Sequence, residues 1–165
     1  MAGKAIKDYK SAISNKLIED ENLLKALVNN SSDFLSVPLP ISPEESFYDY
    51  IYPYRKVDGI LTDTKSYITM DFKGFKPNSA NYLYSGYVNF YILCHESLVR
   101  TDYGQQRYDY IVDRIRNLFD HNKEIVGFGE CIVTLIDDIT SEDGKYFGSL
   151  CQIKINDIKT GLSND

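Results

Sequence analysis

The chain contains no tryptophan, only two histidines and only three cysteines in 165 residues. So few histidines leave little of the commonest general base and metal ligand. His95 and His121 fall at the end of an apolar run and at the end of a helical pattern, and neither has a second ligand at metal spacing. His121 suits a place beside a helix dipole. His95 followed by Glu96 becomes a base and its orienter only where the fold brings a nucleophile to it. Cys94, Cys131 and Cys151 each lie within an apolar run. Their odd number and wide spacing fit neither a disulfide framework nor zinc ligation, so they read as buried thiols in a reducing compartment. No run of eighteen apolar residues is present, and the start MAGKAIKDYK lacks an apolar stretch after its basic residues. A chain that neither spans a membrane nor carries a signal peptide is expected. Basic residues are also in deficit, 18 against 24 acidic ones, for a net charge of −6. Such a field repels a phosphate backbone and excludes tight binding to nucleic acid as a main activity.

What the chain does have is apolar content, 43%, and aromatic content, with fourteen tyrosines and eight phenylalanines. The first is enough for one buried core at this length. The second has two explanations, the preference of strands for aromatic residues and the enrichment of tyrosine at protein contacts. From Ala5 to about Asn29, Ile6, Tyr9, Ile13, Leu17, Leu23, Leu24, Leu27 and Val28 recur at helical spacing. One amphipathic helix or two is expected, with Asp20 placed to cap the second. Residues 31–57 hold four of the five prolines, yet they are rich in Phe47, Tyr48, Tyr50, Ile51, Tyr52 and Tyr54. This is an extended arm that must lie against something rather than a flexible linker. A short helix opening near Ser42, with Pro43 in its first turn, is expected within it.

Beyond the arm, residues 58–165 alternate or repeat in recognisable patterns. Ser66–Phe72 reads as a half-buried strand, and a second strand to about His95 places Val88, Phe90, Ile92 and Cys94 on one face. Gly74, Pro77, Asn78, Ser79 and Asn81 mark the loop between them. A long helix over 103–121 follows, with Tyr108, Ile111, Val112, Ile115, Leu118 and Phe119 on one side. Gly127-Phe-Gly129 is a turn, without the lysine a phosphate loop needs. Two last strands, Gly129–Ile139 and Tyr146–Ile158, meet at an Asp-Gly hairpin tip. The fold class is therefore α+β: a single domain, 1–165, with a mostly antiparallel sheet of about four strands, an N-terminal helix and one long helix packed on it.

Candidate chemistry is sparse. Asp63, Lys65, Asp71 and Glu130 are the nearest approach to the carboxylate and lysine set of a metal-dependent nuclease. Scattered carboxylates are, however, ordinary in a chain in which one residue in four is charged. Asp137, Asp138, Glu142 and Asp143 form an acidic hairpin tip without the ligand alternation of a calcium loop. Its simplest reading is a solvated tip, and at the lining of a pore its charge would let DNA pass without adhering.

The stretch YVNFYILCHESLVRTDYGQQRYDYIVDRIRNLF, Tyr87–Phe119, resembles the tail-terminator and head–tail neck proteins of tailed bacteriophages. In these a strand leads through a loop into a helix with a Gly-x-x-Arg-x-Asp-like start, here Gly104, Arg107 and Asp109. The resemblance extends more loosely to the N-terminal helix, to IYPY at Ile51–Tyr54 and to the final strand pair. It implies a virion protein, assembled in the host cytoplasm, that closes into a ring, usually a hexamer, capping the tail tube and offering a face to the neck. It also implies no catalysis, no cofactor and no metal. Its partners would be further copies of itself, the tail tube protein and a neck, head-completion or connector protein, with no membrane involved. Phe47, Tyr48, Tyr50, Tyr52 and Tyr54 of the arm, with Arg107 and Asp109, are the expected contact residues; the alternative for the last two is a solvated pair at a helix start. A connector, stopper or tail-completion subunit is the nearest alternative role. A nuclease and a monomeric adaptor acting through the arm represent other classes.

Overall fold

The computed structural model describes residues 2–55, 63–77, 83–123, 125 and 129–159, with backbone alone at 2–8, 83 and 157–159. Two helices open the chain, α1 (Ala2–Ile18) and α2 (Glu21–Val28), followed by strand β1 (Ile51–Tyr52). Strands β2 (Ser66–Pro77) and β3 (Leu83–His95), helix α3 (Arg107–Phe119) and strands β4 (Cys131–Thr140) and β5 (Tyr146–Lys159) complete it. The amphipathic pattern of the first thirty residues breaks at Asp20, whose carboxylate accepts the Leu23 N–H at 3.0 Å and caps α2. The same carboxylate receives Nε and Nη2 of Arg114 at 2.8 and 2.7 Å, so the cap also ties α2 to α3.

Among the described residues the sheet has five strands, in the order β1-β2-β3-β5-β4. Only β1 is parallel to its neighbour, pairing Ile51 with Ile68 and Tyr52 with Thr69. The expected count of about four strands lacked this one, because two residues between prolines carry no strand periodicity of their own. Helices lie on one face, where Ile68, Met70, Val88, Phe90, Ile92, Cys94, Cys131, Cys151, Ile153 and Ile155 meet Ile13, Leu17, Leu24, Leu27, Ile111, Ile115 and Phe119. The face expected for β3 is the one observed. β2 and α3 differ in their ends: β2 continues past Phe72 through a left-handed Gly74 to Pro77, and α3 starts only at Arg107. The short helix expected at Ser42 is a single 3₁₀ turn, Pro43–Ser46, with Glu45 accepting the Ser42 N–H. Of the expected loops, residues 78–82 and 126–128 lie outside the described residues.

The proline-rich segment is not a projecting arm. Phe34 and Ile51 are fully buried, and Leu35, Leu39, Ile41, Phe47 and Tyr50 lie against the main core. Proline removes ladder donors but leaves side chains free to fill a core, so this part of the chain wraps its own sheet.

Candidate interaction surface

Among the described residues Arg107 is the largest fully buried side chain. Its guanidinium donates to the carbonyls of Leu98 at 2.7 Å and of Ala26, Asn29 and Ser31 at 2.8 Å each, and lies 4.7 Å from the centre of the Phe34 ring. Ala26 and Asn29 belong to the last turn and C-cap of α2, whose carbonyls have no helical partner. A cation there satisfies those acceptors and offsets the negative end of the helix. The expectation of a subunit contact or solvated pair at Arg107 is thus corrected: its side chain is consumed inside the chain, and burial lowers its pKa from the usual arginine value. Gly104 has φ +78 with open space where a Cβ would lie, so it serves the left-handed turn that leads into α3. Asp109, half-buried in the first turn of α3, has its pKa raised by burial and by the nearby charges of Asp138 and Asp113.

Among the described residues the second sheet face carries no helix, and it divides in two. At one end the rings of Tyr54, Tyr52, Tyr67, Tyr146 and His95 follow one another at 5.9, 6.1, 5.8 and 5.5 Å. Tyr52, Tyr67, Leu93 and Tyr146 form a small second core there. Tyr52 is therefore interior, in place of the contact expected of it, while Phe47 and Tyr50 are half-buried. Tyr48, 63% exposed, and Tyr54, 48% exposed, remain at the surface with rings 6.4 Å apart. Across the middle runs a polar row over four strands. Tyr91 and Asn89 donate to Asp71 at 3.1 and 2.8 Å, Gln152 donates to Asn89 at 2.9 Å, and Thr134 donates to Gln152 at 3.1 Å. Arg55 covers it from above, 3.8 Å over the Tyr91 ring and 3.0 Å from Thr69 Oγ1.

The remaining candidates are dispersed. The four acids of the hairpin tip do not share one face. Asp143 closes the turn, accepting from Ser141 Oγ and the Lys145 N–H, which lowers its pKa. Asp137 and Asp138 point to opposite faces of β4, as consecutive strand residues must. Asp63, Lys65, Asp71 and Glu130 are not brought together. Lys65 bonds the Asp49 carbonyl and the Tyr52 hydroxyl, Asp71 belongs to the polar row on β2, and Glu130 sits beside His121 next to β4, with β3 and β5 between. Among the described residues no three His, Cys, Asp or Glu side chains gather as a metal site. Burial raises the thiol pKa values of Cys94 and Cys151 to about 12 and of Cys131 to about 11, which favours the protonated thiol over the thiolate. His95 Nδ1 is engaged with Ser97.

The outer edge of β4 was not among the contact residues expected from the sequence. Leu135 is 39% exposed, Ile136 42%, and Phe147 on the adjoining strand 36%. Isolated exposed apolar residues are ordinary, but Leu135 and Ile136 are adjacent on an edge strand, one on each face, which makes that edge a candidate contact surface; Phe147 lies apart from them, opposite Thr140. The signal that existed in the sequence was the pair of adjacent apolar residues in Leu135-Ile136, which breaks the alternation of a half-buried strand.

Fold and surface together define a single-domain α+β protein, one mostly antiparallel sheet with helices on one face and a polar, aromatic opposite face. A sequence model of the YomW family matches residues 20–155, from the cap of α2 into β5, so the chain belongs to the YomW family. That name is phage-derived, of the Bacillus SPbeta type, and supports a phage-associated protein. No match is found among curated proteins. Among the described residues no helix is long and apolar enough to cross a membrane.

Proposed function

We propose that this protein is a structural subunit of a phage particle, tail-terminator-like, which forms a ring at the head–tail junction, caps the tail tube and joins it to the neck. Family membership supports the phage setting. The observation that carries the ring is the placing of two unlike exposed patches at opposite edges of one sheet. Tyr48 and Tyr54 lie by β1, and Leu135 and Ile136 lie on β4. Unlike patches on opposite sides suit head-to-tail contacts, which close into a ring when the rotation between copies allows. The resemblance over Tyr87–Phe119 supports a place at the head–tail junction, and the net charge of −6 suits a wall that DNA passes without adhering.

The test is light scattering of the purified protein, followed by electron microscopy of the protein mixed with tail tubes. A species of ring mass, or tubes with capped ends, is expected. A chain that stays monomeric and leaves tube ends bare overturns the reading in favour of a monomeric adaptor. Particles lacking the protein separate the two neighbouring roles: overlong tails mean a terminator, and tails of normal length on heads that lose DNA mean a connector or stopper.

A further inference from the structure

We propose that neighbouring copies join by strand addition, the outer edge of β4 in one copy pairing antiparallel with the outer edge of β2, beyond Thr69, in the next. This rests on the ring reading and names its interface. Among the described residues the edge of β4 is closed at its start and open afterwards. Cys131 exchanges backbone hydrogen bonds with His121 and Asn122 at 2.7 and 3.1 Å, and the Val133 N–H donates to Asp120 at 2.9 Å. After the bulge between Val133 and Leu135 the register is set by the Ser141 N–H donating to the Tyr146 carbonyl at 2.9 Å. Counting back by twos in an antiparallel ladder turns the N–H and C=O groups of Ile136, Asp138 and Thr140 away from β5. Leu135 and Ile136 are exposed on the two faces of that same stretch.

At the opposite side of the sheet β1 covers only Ile68 and Thr69. Among the described residues no strand flanks β2 from Asp71 to Pro77 on its outer side. The two edges also match in charge. Asp137 and Asp138 are exposed on β4, Lys73 and Lys76 on β2. Asp137 lies on the helix-free face through its register with Leu150, and Lys73 and Lys76 lie on it through Tyr87 and Ser85. Pairing β4 with a second β4 would instead set acid against acid, which is unfavourable for directly opposed residues. Direction agrees as well. Each of the steps β2–β3, β3–β5 and β5–β4 is antiparallel, so β4 runs opposite to β2. A neighbour added in the same orientation therefore extends the sheet, and the same operation can be repeated around a ring.

The test uses two surface charge reversals, Lys73→Glu with Lys76→Glu, and Asp137→Lys with Asp138→Lys, in the conditions where the parent protein forms its ring, in solution or on tube ends. Each variant alone is expected to lose the ring-sized species while keeping its circular dichroism spectrum. An equimolar mixture is expected to recover it, because acidic and basic edges then alternate. A lysine-reversed variant that still assembles, or a mixture that stops at two copies, overturns the β4–β2 interface while the ring itself stands. A parent protein that assembles in neither setting overturns the ring and this interface together.

Discussion

Arg107 illustrates how a charged residue can be part of a core. Its guanidinium meets four backbone carbonyls within 2.8 Å and no carboxylate takes part in those bonds, so the positive charge is balanced by dipoles at the end of α2. Shortening it leaves those acceptors buried without donors. Arg107→Ala is expected to cost on the order of 3 kcal/mol or more, since each hydrogen bond to a charged group is worth about 1.5–3 kcal/mol. Thermal unfolding should show this as a fall in Tm of about 6–12 °C, at about 2–4 °C per kcal/mol for a chain of this size. An unchanged Tm would mean that the bonds are replaceable by water. The sequence showed Arg107 and Asp109 as a motif at a helix start but not that one is interior and the other partly exposed. That distinction depends on the end of α2 approaching from some eighty positions away, where the Ala26 carbonyl accepts the guanidinium.

Among elements, the proline-rich segment is the most instructive. Its aromatic residues serve two ends: Phe34 and Tyr52 fill the interior, whereas Tyr48 and Tyr54 stay at the surface. Tyr48 also has φ +65, a left-handed conformation that costs a non-glycine residue about 1 kcal/mol. The turn is fixed by the Tyr48 N–H bonding the Ile51 carbonyl at 2.9 Å. Tyr48→Gly removes the conformational cost while adding chain entropy to the unfolded state, so stability should stay within about 1 kcal/mol of the parent protein. Self-association should nevertheless weaken if the ring of Tyr48 belongs to the contact surface. Denaturant midpoint and light scattering on the same sample read the two effects separately, and unaltered assembly would remove Tyr48 from the interface. Composition had already indicated that this segment lies against something. It did not indicate that its support is the chain's own sheet, because a two-residue parallel strand is specified by its partner Ile68–Thr69 and not by its own pattern.

For the whole molecule, the decisive feature is a sheet shielded, among the described residues, by helices on one side only, with part of the other side closed by the segment before β2. Removal of residues 31–54 is accordingly expected to unfold the protein and not merely to prevent its assembly. It deletes Phe34, Ile51 and Tyr52 from the interior and strips the Tyr103 hydroxyl of Asp33 and the Leu35 N–H. Loss of the cooperative unfolding transition by circular dichroism is the expected result; a folded but monomeric product would restore the picture of a separable arm. The sequence by itself determined the α+β class, the β2 and β3 core faces, α3 and the Asp-Gly hairpin, since each is written in local periodicity and turn chemistry that act within a few residues. Tertiary structure alone decided that Arg107 is interior, that β1 exists, and that, among the described residues, β4 and the outer half of β2 are left as open edges. These depend on which segments meet across long separations, and the energy of a buried cation or an unpaired edge is set by those neighbours and not by the residues themselves.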